Sequence, residues 1–323
     1  MKTVEELTNY YYNELYGTLE KFEKKRKKLK FQIIFLFIII IWNAATIYFL
    51  FFLNKKYSAD VLPFFILLVG ASGFYLFKYL KRDYRSEFKK EVIAPLIKEL
   101  DPKLNYSQNL HISKKLFVES QLFKRPDKYT GNDFILGQVD STKIQFSDIH
   151  AEEKYEDSNG KTHYSTIFQG LFIIADFNKT FHGRTVILPD TAQSVFGNVI
   201  GTWLQSKNIS RDELVKMDNP LFEKEFVIYS TDQIETRYIL SHTFMERILD
   251  FKKKINHNLY ISFIDNNIHL AIDYGKDLFE PTMFKSLLND EITKEYINTL
   301  VLAVSIVEEL KLNEKLWSRQ EKD

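Results

Sequence analysis

Residues 31–53 read FQIIFLFIIIIWNAATIYFLFFL and residues 61–80 read VLPFFILLVGASGFYLFKYL, with NKKYSAD between them. The first run has no charge; Gln32, Asn43 and Thr46 are its polar members. At about 1.5 Å of rise per helical residue its 23 residues reach roughly 35 Å, enough for a hydrocarbon core of about 30 Å. The second run has 20 residues and one charge, Lys78, near its end, where a long stem can carry the ammonium to the headgroups. Pro63 falls in the first turn, where a missing N–H does little harm. Gly70 and Gly73 offer places for two helices to approach. The spacing predicts a transmembrane helical hairpin (31–53, 61–80) with a short link. A buried hairpin in a soluble protein is the competing reading, and the basic flanks argue against it. A cleaved signal peptide fits poorly, because the leader carries acids and a second apolar run follows.

Basic residues near the ends set the expected orientation. Lys21, Lys24, Lys25, Arg26, Lys27, Lys28 and Lys30 precede the first run, and Lys81, Arg82, Arg85, Lys89 and Lys90 follow the second. The link holds only Lys55 and Lys56. The expectation is a multi-pass protein of the cell inner membrane with both termini cytoplasmic. The net charge of +1 hides an asymmetry: 17 basic and 10 acidic residues in 1–100, but 27 basic and 33 acidic in 101–323. The basic part faces anionic lipid, where each cation contributes on the order of 1 kcal/mol. The acidic remainder excludes sequence-independent binding of nucleic acid, which needs a net basic face. With no cysteine there is no disulfide, thiol nucleophile or thiolate metal site.

Beyond the runs the pattern divides the chain into an amphipathic helix over 1–30, the hairpin over 31–80, a juxtamembrane helix over 81–105 and a cytoplasmic α+β domain over 106–323. A candidate internal boundary lies at 206–220. Val4, Leu7, Tyr11, Leu15, Leu19 and Phe22 recur at helical spacing, as do Leu80, Tyr84, Phe88, Val92 and Leu96. Pro95 bends or restarts the second of these helices. From Gly131 the period becomes two. Strands are expected at 134–139, at 143–155 with a bulge near Ser147, at 162–177, at 184–188 and at 225–229, with a hairpin at 259–264 and 268–274. Asp157-Ser158-Asn159-Gly160 is a turn, and 171–175, apolar on both faces, reads as a central strand. Helices are expected at 193–205, after Asp232, after Thr243 and at 291–312. Antiparallel hairpins with helices inserted and appended give the class α+β.

Chemical signatures are sparse. Gly160-Lys161-Thr162 resembles the end of a phosphate loop, but Tyr155 stands where that loop needs its first Gly. There is no His pair at helical metal spacing and no nucleophile elbow. His150 and His163 fall on strands of one hairpin with Asp148, Glu152 and Glu153 nearby, so a His/carboxylate centre is the one enzymatic arrangement to test. The interaction candidates are Asp232, Glu235, Arg237 and Tyr238, a dense polar and aromatic stretch in which Arg237 could pair with either acid. No catalytic residue, cofactor or metal is assigned.

Three stretches then carry a resemblance: Phe168-Gln169-Gly170-Leu171-Phe172 with Asp176-Phe177-Asn178-Lys179; Phe222-Glu223 through Tyr229-Ser230-Thr231-Asp232-Gln233 and Arg237-Tyr238; and Phe279-Glu280-Pro281. The chain resembles, over most of its length, a bacterial membrane-protein family catalogued as domain of unknown function 3137. Thr236 and Met217-Asp218 depart from the family pattern, in which Ala and an acidic pair are common. The resemblance implies a membrane-anchored cytoplasmic domain beside a membrane-protein partner, with no assigned activity. The sequence therefore points to a non-enzymatic scaffold or regulator that meets lipid through the hairpin and basic flanks and binds a protein partner at the inner face of the membrane. A homo-oligomer stays open. The alternative is a membrane-bound hydrolase or transferase centred on His150 and His163.

Overall fold

The structure is a computed structural model that describes residues 1–49, 62–177, 181–190, 213–310 and 312. The link 54–60, the expected helix 193–205 and most of the boundary 206–220 lie outside the described residues. The chain forms two compact units, one of Thr3–Leu96 with Phe279–Ile297, the other built mainly from Ile97–Leu278 with residues from Asn298 onward.

The first unit is helical. Thr3 starts α1 (Val4–Asn13) with a reciprocal capping box: its side chain accepts the N–H of Glu6, and the Glu6 carboxylate accepts the N–H of Thr3. The chain breaks at Glu14 and Leu15, then α2 (Tyr16–Tyr48) runs without interruption through the basic stretch into the apolar one. The expected helix over 1–30 is thus two pieces, and the second continues into the apolar run, as its spacing predicts. α2 buries Leu19, Phe22, Glu23, Arg26, Leu29 and Ile33, which share one stripe. Beyond that stripe it exposes Phe31, Phe35, Ile38, Ile41 and Trp42. Only 6% of its most apolar window is buried, which does not suit the core helix of a soluble protein. α3 (Leu62–Phe88) touches α2 through Gly73, where a Cβ would collide with Ile40, and through the rings of Tyr84 and Phe88 against Phe22. The expected interruption at Pro95 takes the form of a π-helical turn, Lys89–Ile93, before α4 (Ala94–Leu100). In an α-helix the Pro95 ring would strike the carbonyl of Glu91; widening the turn, so that Ala94 N–H reaches Lys89 O, relieves that contact.

The second unit is an antiparallel sheet. Its strands are β1 (Asn105–Ser107), β2 (Lys128–Val139), β3 (Thr142–Glu156), β4 (Thr162–Asp176), β5 (Thr185–Pro189), β6 (Glu213–Val215), β7 (Phe226–Ser230), β8 (Asn258–Ile264) and β9 (Asn267–Asp273). Their order is β1-β2-β3-β4-β9-β8-β5-β7-β6, so strands on either side of 206–220 belong to one sheet. Helices α5 (Lys114–Glu119), α6 (Pro220–Glu225), α7 (Gln233–Ile239) and α8 (His242–Ile255) lie between strands, and α9 (Asp290–Glu309) follows them. β4 is central, as the two-faced apolar run predicts, with Leu171, Phe172 and Ile173 fully buried. One face packs Phe117 of α5 on Phe172, centroids 5.1 Å apart, and Phe123 on Phe168 and Tyr260, both at 4.9 Å. On the other face Phe244 of α8 meets Phe263, itself 5.2 Å from Phe177. The bulge expected near Ser147 is there, but its extra residue belongs to the partner strand: Asn132 pairs with Asp148 and Ile135 with Phe146, so Asp133 and Phe134 of β2 oppose Ser147. Ser147 and Asp148 are buried, so β3 is covered on both faces at that point and its apolar phase need not alternate. The register shifts come at Ala151/Glu152 and at Asn132/Ile135.

Two positions in this core are tightly constrained. A Cβ on Gly170 would overlap the Ile272 carbonyl oxygen of β9. His269 is buried beside Phe172 with its Nδ1 3.4 Å from Ser262 Oγ, and burial lowers its pKa from 6.5 to about 4. Gly170→Ala is expected to cost about 1–3 kcal/mol through forced overlap, read by urea unfolding of the solubilised protein. The unfolded chain takes up a proton at His269 below pH 6.5, whereas the folded chain does so only near 4. Stability from this group is therefore complete above 6.5 and falls by about 3 kcal/mol as pH drops from 6.5 through 4. His269→Gln flattens that part of the stability–pH profile.

Candidate functional site

The densest buried charge in the helical unit gathers where the polar part of α2 meets α3 and residues 279–297. Each side chain arrives by helical spacing. Glu23 and Arg26 sit one turn apart on the buried stripe of α2, and Arg85 and Lys89 sit four apart on α3 and the π turn. Glu23 and Arg26 are 7% and 6% exposed. They pair in a two-pronged fork, Arg26 Nε to Oε2 at 2.9 Å and Nη2 to Oε1 at 2.7 Å. The third guanidinium nitrogen in contact, Nη1, donates to Met283 O at 2.8 Å, and Leu287 N–H donates to Glu23 Oε2 at 3.2 Å. Lys89 Nζ lies 2.8 Å from Glu280 Oε1, and Arg85 pairs with the same carboxylate. Tyr296 Oη donates to Glu280 O at 2.5 Å, and Tyr12 Oη donates to Thr293 Oγ1 at 3.2 Å. The Arg26 hydrogen bond holds the Glu23 carboxyl below the usual range, against its own desolvation. Burial pushes the Tyr84 phenol up, and its oxygen has no hydrogen-bond partner among the described residues. The arrangement is a clamp that fixes backbone at Met283 and Leu287 and a side chain at Glu280. It lacks a nucleophile beside a base.

Of the four residues singled out from sequence, the two acids serve local structure. Asp232 caps α7, its Oδ1 accepting from Ile234 N at 2.9 Å and Glu235 N at 3.0 Å. Glu235 accepts the N–H groups of His182 and Gly183 at 3.2 and 2.8 Å. Arg237 is exposed and pairs with neither acid. Arg237 and Tyr238 instead face solvent on α7, with Ile234 84% exposed. Thr236 is buried, and its hydroxyl meets Ser230 Oγ at 2.7 Å and Thr185 Oγ1 at 2.8 Å.

The expected pairing of His150 with His163 is not formed. His163 lies opposite Tyr155, five residues past His150 on β3, so the two rings are roughly 17 Å apart along the strands. His150 Nε2 is 3.2 Å from Thr166 Oγ1, and His163 Nε2 is 2.9 Å from Asp157 in the turn. The neighbouring acids are engaged elsewhere: Asp148 accepts Leu278 N–H at 2.6 Å, Glu152 pairs with Lys128, and Glu153 pairs with Lys124 at 2.9 Å. Among the described residues no three His, Asp or Glu form a metal-binding group. A groove of about 510 Å³ between α6 and α8 has a charged rim, but its members pair locally, His242 with Glu246 and Lys253 with Asp250, each at 3.3 Å.

Residues 166–312 match the family model described as "Protein of unknown function (DUF3137)". This stretch is a DUF3137 domain. The match holds all three resembling stretches and leaves the apolar runs outside it, so it covers less of the chain than the sequence reading implied. No curated protein matches the sequence. The crystal structure of the mycobacterial trehalose monomycolate transport factor A, TtfA, is similar over 66% of this chain and 93% of its own, at 12% identity and a TM-score of 0.34. Within residues 166–312 three residues from the resembling stretches have definite tasks: Gly170 admits β9, Asp232 caps a helix, and Glu280 joins the ion-pair cluster.

Breaking the buried pair from one side is expected to be costly. Arg26→Ala leaves the Glu23 carboxylate buried without its guanidinium and lowers stability by about 3 kcal/mol, read as a fall in thermal midpoint. The double variant Glu23→Leu/Arg26→Met restores most of it.

Proposed function

We propose that this chain is a membrane-anchored, non-enzymatic scaffold or regulator whose sheet unit binds a protein partner at the inner face of the membrane. The observation that carries the reading is α2: a helix long and apolar enough to cross a bilayer, with its apolar side chains turned outward. α3 adds exposed Leu67, Leu68, Phe74 and Tyr75 and contacts α2. Both features support the hairpin of 31–53 and 61–80. The exposed cations Lys24, Lys27, Lys28 and Arg82 at its polar end support cytoplasmic termini. For the partner, the exposed Ile234, Arg237 and Tyr238 of α7 offer an apolar, aromatic and cationic surface of the kind that anchors interfaces. With His150 and His163 apart, the enzymatic alternative has lost its named centre.

Reporter fusions at position 56 and at the C-terminus are expected on opposite sides of the membrane; both on one side rejects the hairpin. A photo-crosslinking amino acid at Ile234 or Tyr238, used in intact membranes, is expected to give a discrete adduct. Absence of an adduct from both positions rejects α7 as the docking surface.

A further inference from the structure

Phe284 is 73% exposed on a segment that is otherwise held down. Its neighbours Met283 and Leu287 are buried, and the backbone is fixed on both sides: Glu280 by Arg85 and Lys89, Met283 O by Arg26, Leu287 by Glu23 and by Tyr11, whose Oη lies 3.3 Å from Leu287 O. Between these points Thr282 Oγ1 donates to Lys285 O at 2.9 Å, which closes a turn around Met283 and Phe284. The contacts order the turn along α2. Met283 meets Arg26, and the chain then falls back to Glu23 at Leu287. Of the two backbone points that α2 holds, Met283, the neighbour of Phe284, is therefore the one tied to the residue nearer Phe31, where the apolar run begins. Arg26 precedes Phe31 by five helical positions, about 7.5 Å of rise. The headgroup layer on each side of a bilayer is about 5–8 Å deep.

We infer that the turn 282–285 is a second membrane contact, with Phe284 dipping into the interface of an anionic leaflet. The inference rests on the reading that α2 crosses the bilayer. A single exposed Phe needs no explanation by itself. Phe284, however, is the neighbour of Met283, whose carbonyl is held by Arg26 in the turn of α2 that also carries exposed Lys27 and Lys28, and it is next in sequence to the exposed Lys285. An aromatic ring at the boundary of the acyl chains, with ammonium groups beside it at the phosphates, matches the chemistry of that layer. Phe284 lies more than two hundred residues from the apolar runs, so their periodicity gives no hint of it. The DUF3137 domain would then touch lipid through its own residues as well as through an anchor outside it.

The absence of cysteine makes the test direct. Single variants Phe284→Cys, Ile41→Cys and Tyr238→Cys of the full chain are labelled with an environment-sensitive fluorophore and reconstituted in vesicles of mixed neutral and anionic phospholipid. Shallow nitroxide lipids are expected to quench the 284 label severalfold more than the 238 label, and a water-soluble quencher to do the reverse. If lipid quenches the label at 41 while the 284 label behaves like that at 238, the turn is not a membrane contact. If lipid fails to quench at 41, the anchor reading falls and this inference with it.

Discussion

A guanidinium and an ammonium group can leave water only with carboxylates in contact, and in this protein that requirement joins parts of the chain far apart in sequence. Arg26 and Lys89 are both buried. One finds its carboxylate a turn away on its own helix, in Glu23; the other finds it in Glu280. The Arg26 fork then has a donor left over, which holds the carbonyl of Met283. The Glu23 carboxylate has a lone pair left over, which holds the amide of Leu287. The satisfied charges and the pinned segment are one network, because the low dielectric that strengthens each bond also makes an unpaired group costly. Ion pairs of this kind add little net stability over an apolar core of equal volume, but they reject other registers of the segment.

Much of the secondary structure was legible because it rests on local rules. The strand at 162–177 appears as β4 to within a residue, since an apolar run on both faces has few other homes. Asp232 begins a helix because a side-chain acceptor there meets two free amides. The helix after Thr243 is real but starts at Ser241, whose hydroxyl takes the Phe244 amide; two acceptors two residues apart look alike in sequence. β2 starts at Lys128, well before the strand expected from 134, because pairing with β3 extends it back through Lys128–Asn132, a polar stretch with no apolar alternation. The bulge at Ser147 was legible from β3 alone, but not that β2 supplies the extra residue.

The site was less legible, for a physical reason. Arg237 drew notice because charge and aromatic residues crowd around it, yet its acids spend their lone pairs on backbone amides. His150 and His163 shared a hairpin, and sharing a hairpin does not fix where along it two residues stand. Glu23 and Arg26, by contrast, looked like two more charges in a basic leader. Their positions on the buried stripe with Leu19 and Phe22 were the available signal, and the cationic run masked it. Glu280 stood out in sequence only as part of a pattern-breaking Phe-Glu-Pro; its reach to Lys89 depends on tertiary structure that no local rule encodes.

The widened turn at Lys89–Ile93 acts as a vernier between two patterns. Tyr84, Phe88, Val92 and Leu96 advance by four residues at every step, and all are buried. Around a regular α-helix such steps slip by about 40° each, so the stripe would wind off its partner within three of them. One turn with an extra residue takes that slip back at a single point. The exposed apolar side chains before it, such as Phe74 and Tyr75, and the buried ones in and after it, Val92 and Leu96, can then each keep their own alignment, although they belong to one nearly continuous helix. A single inserted residue thereby performs a change of phase that would otherwise need a loop.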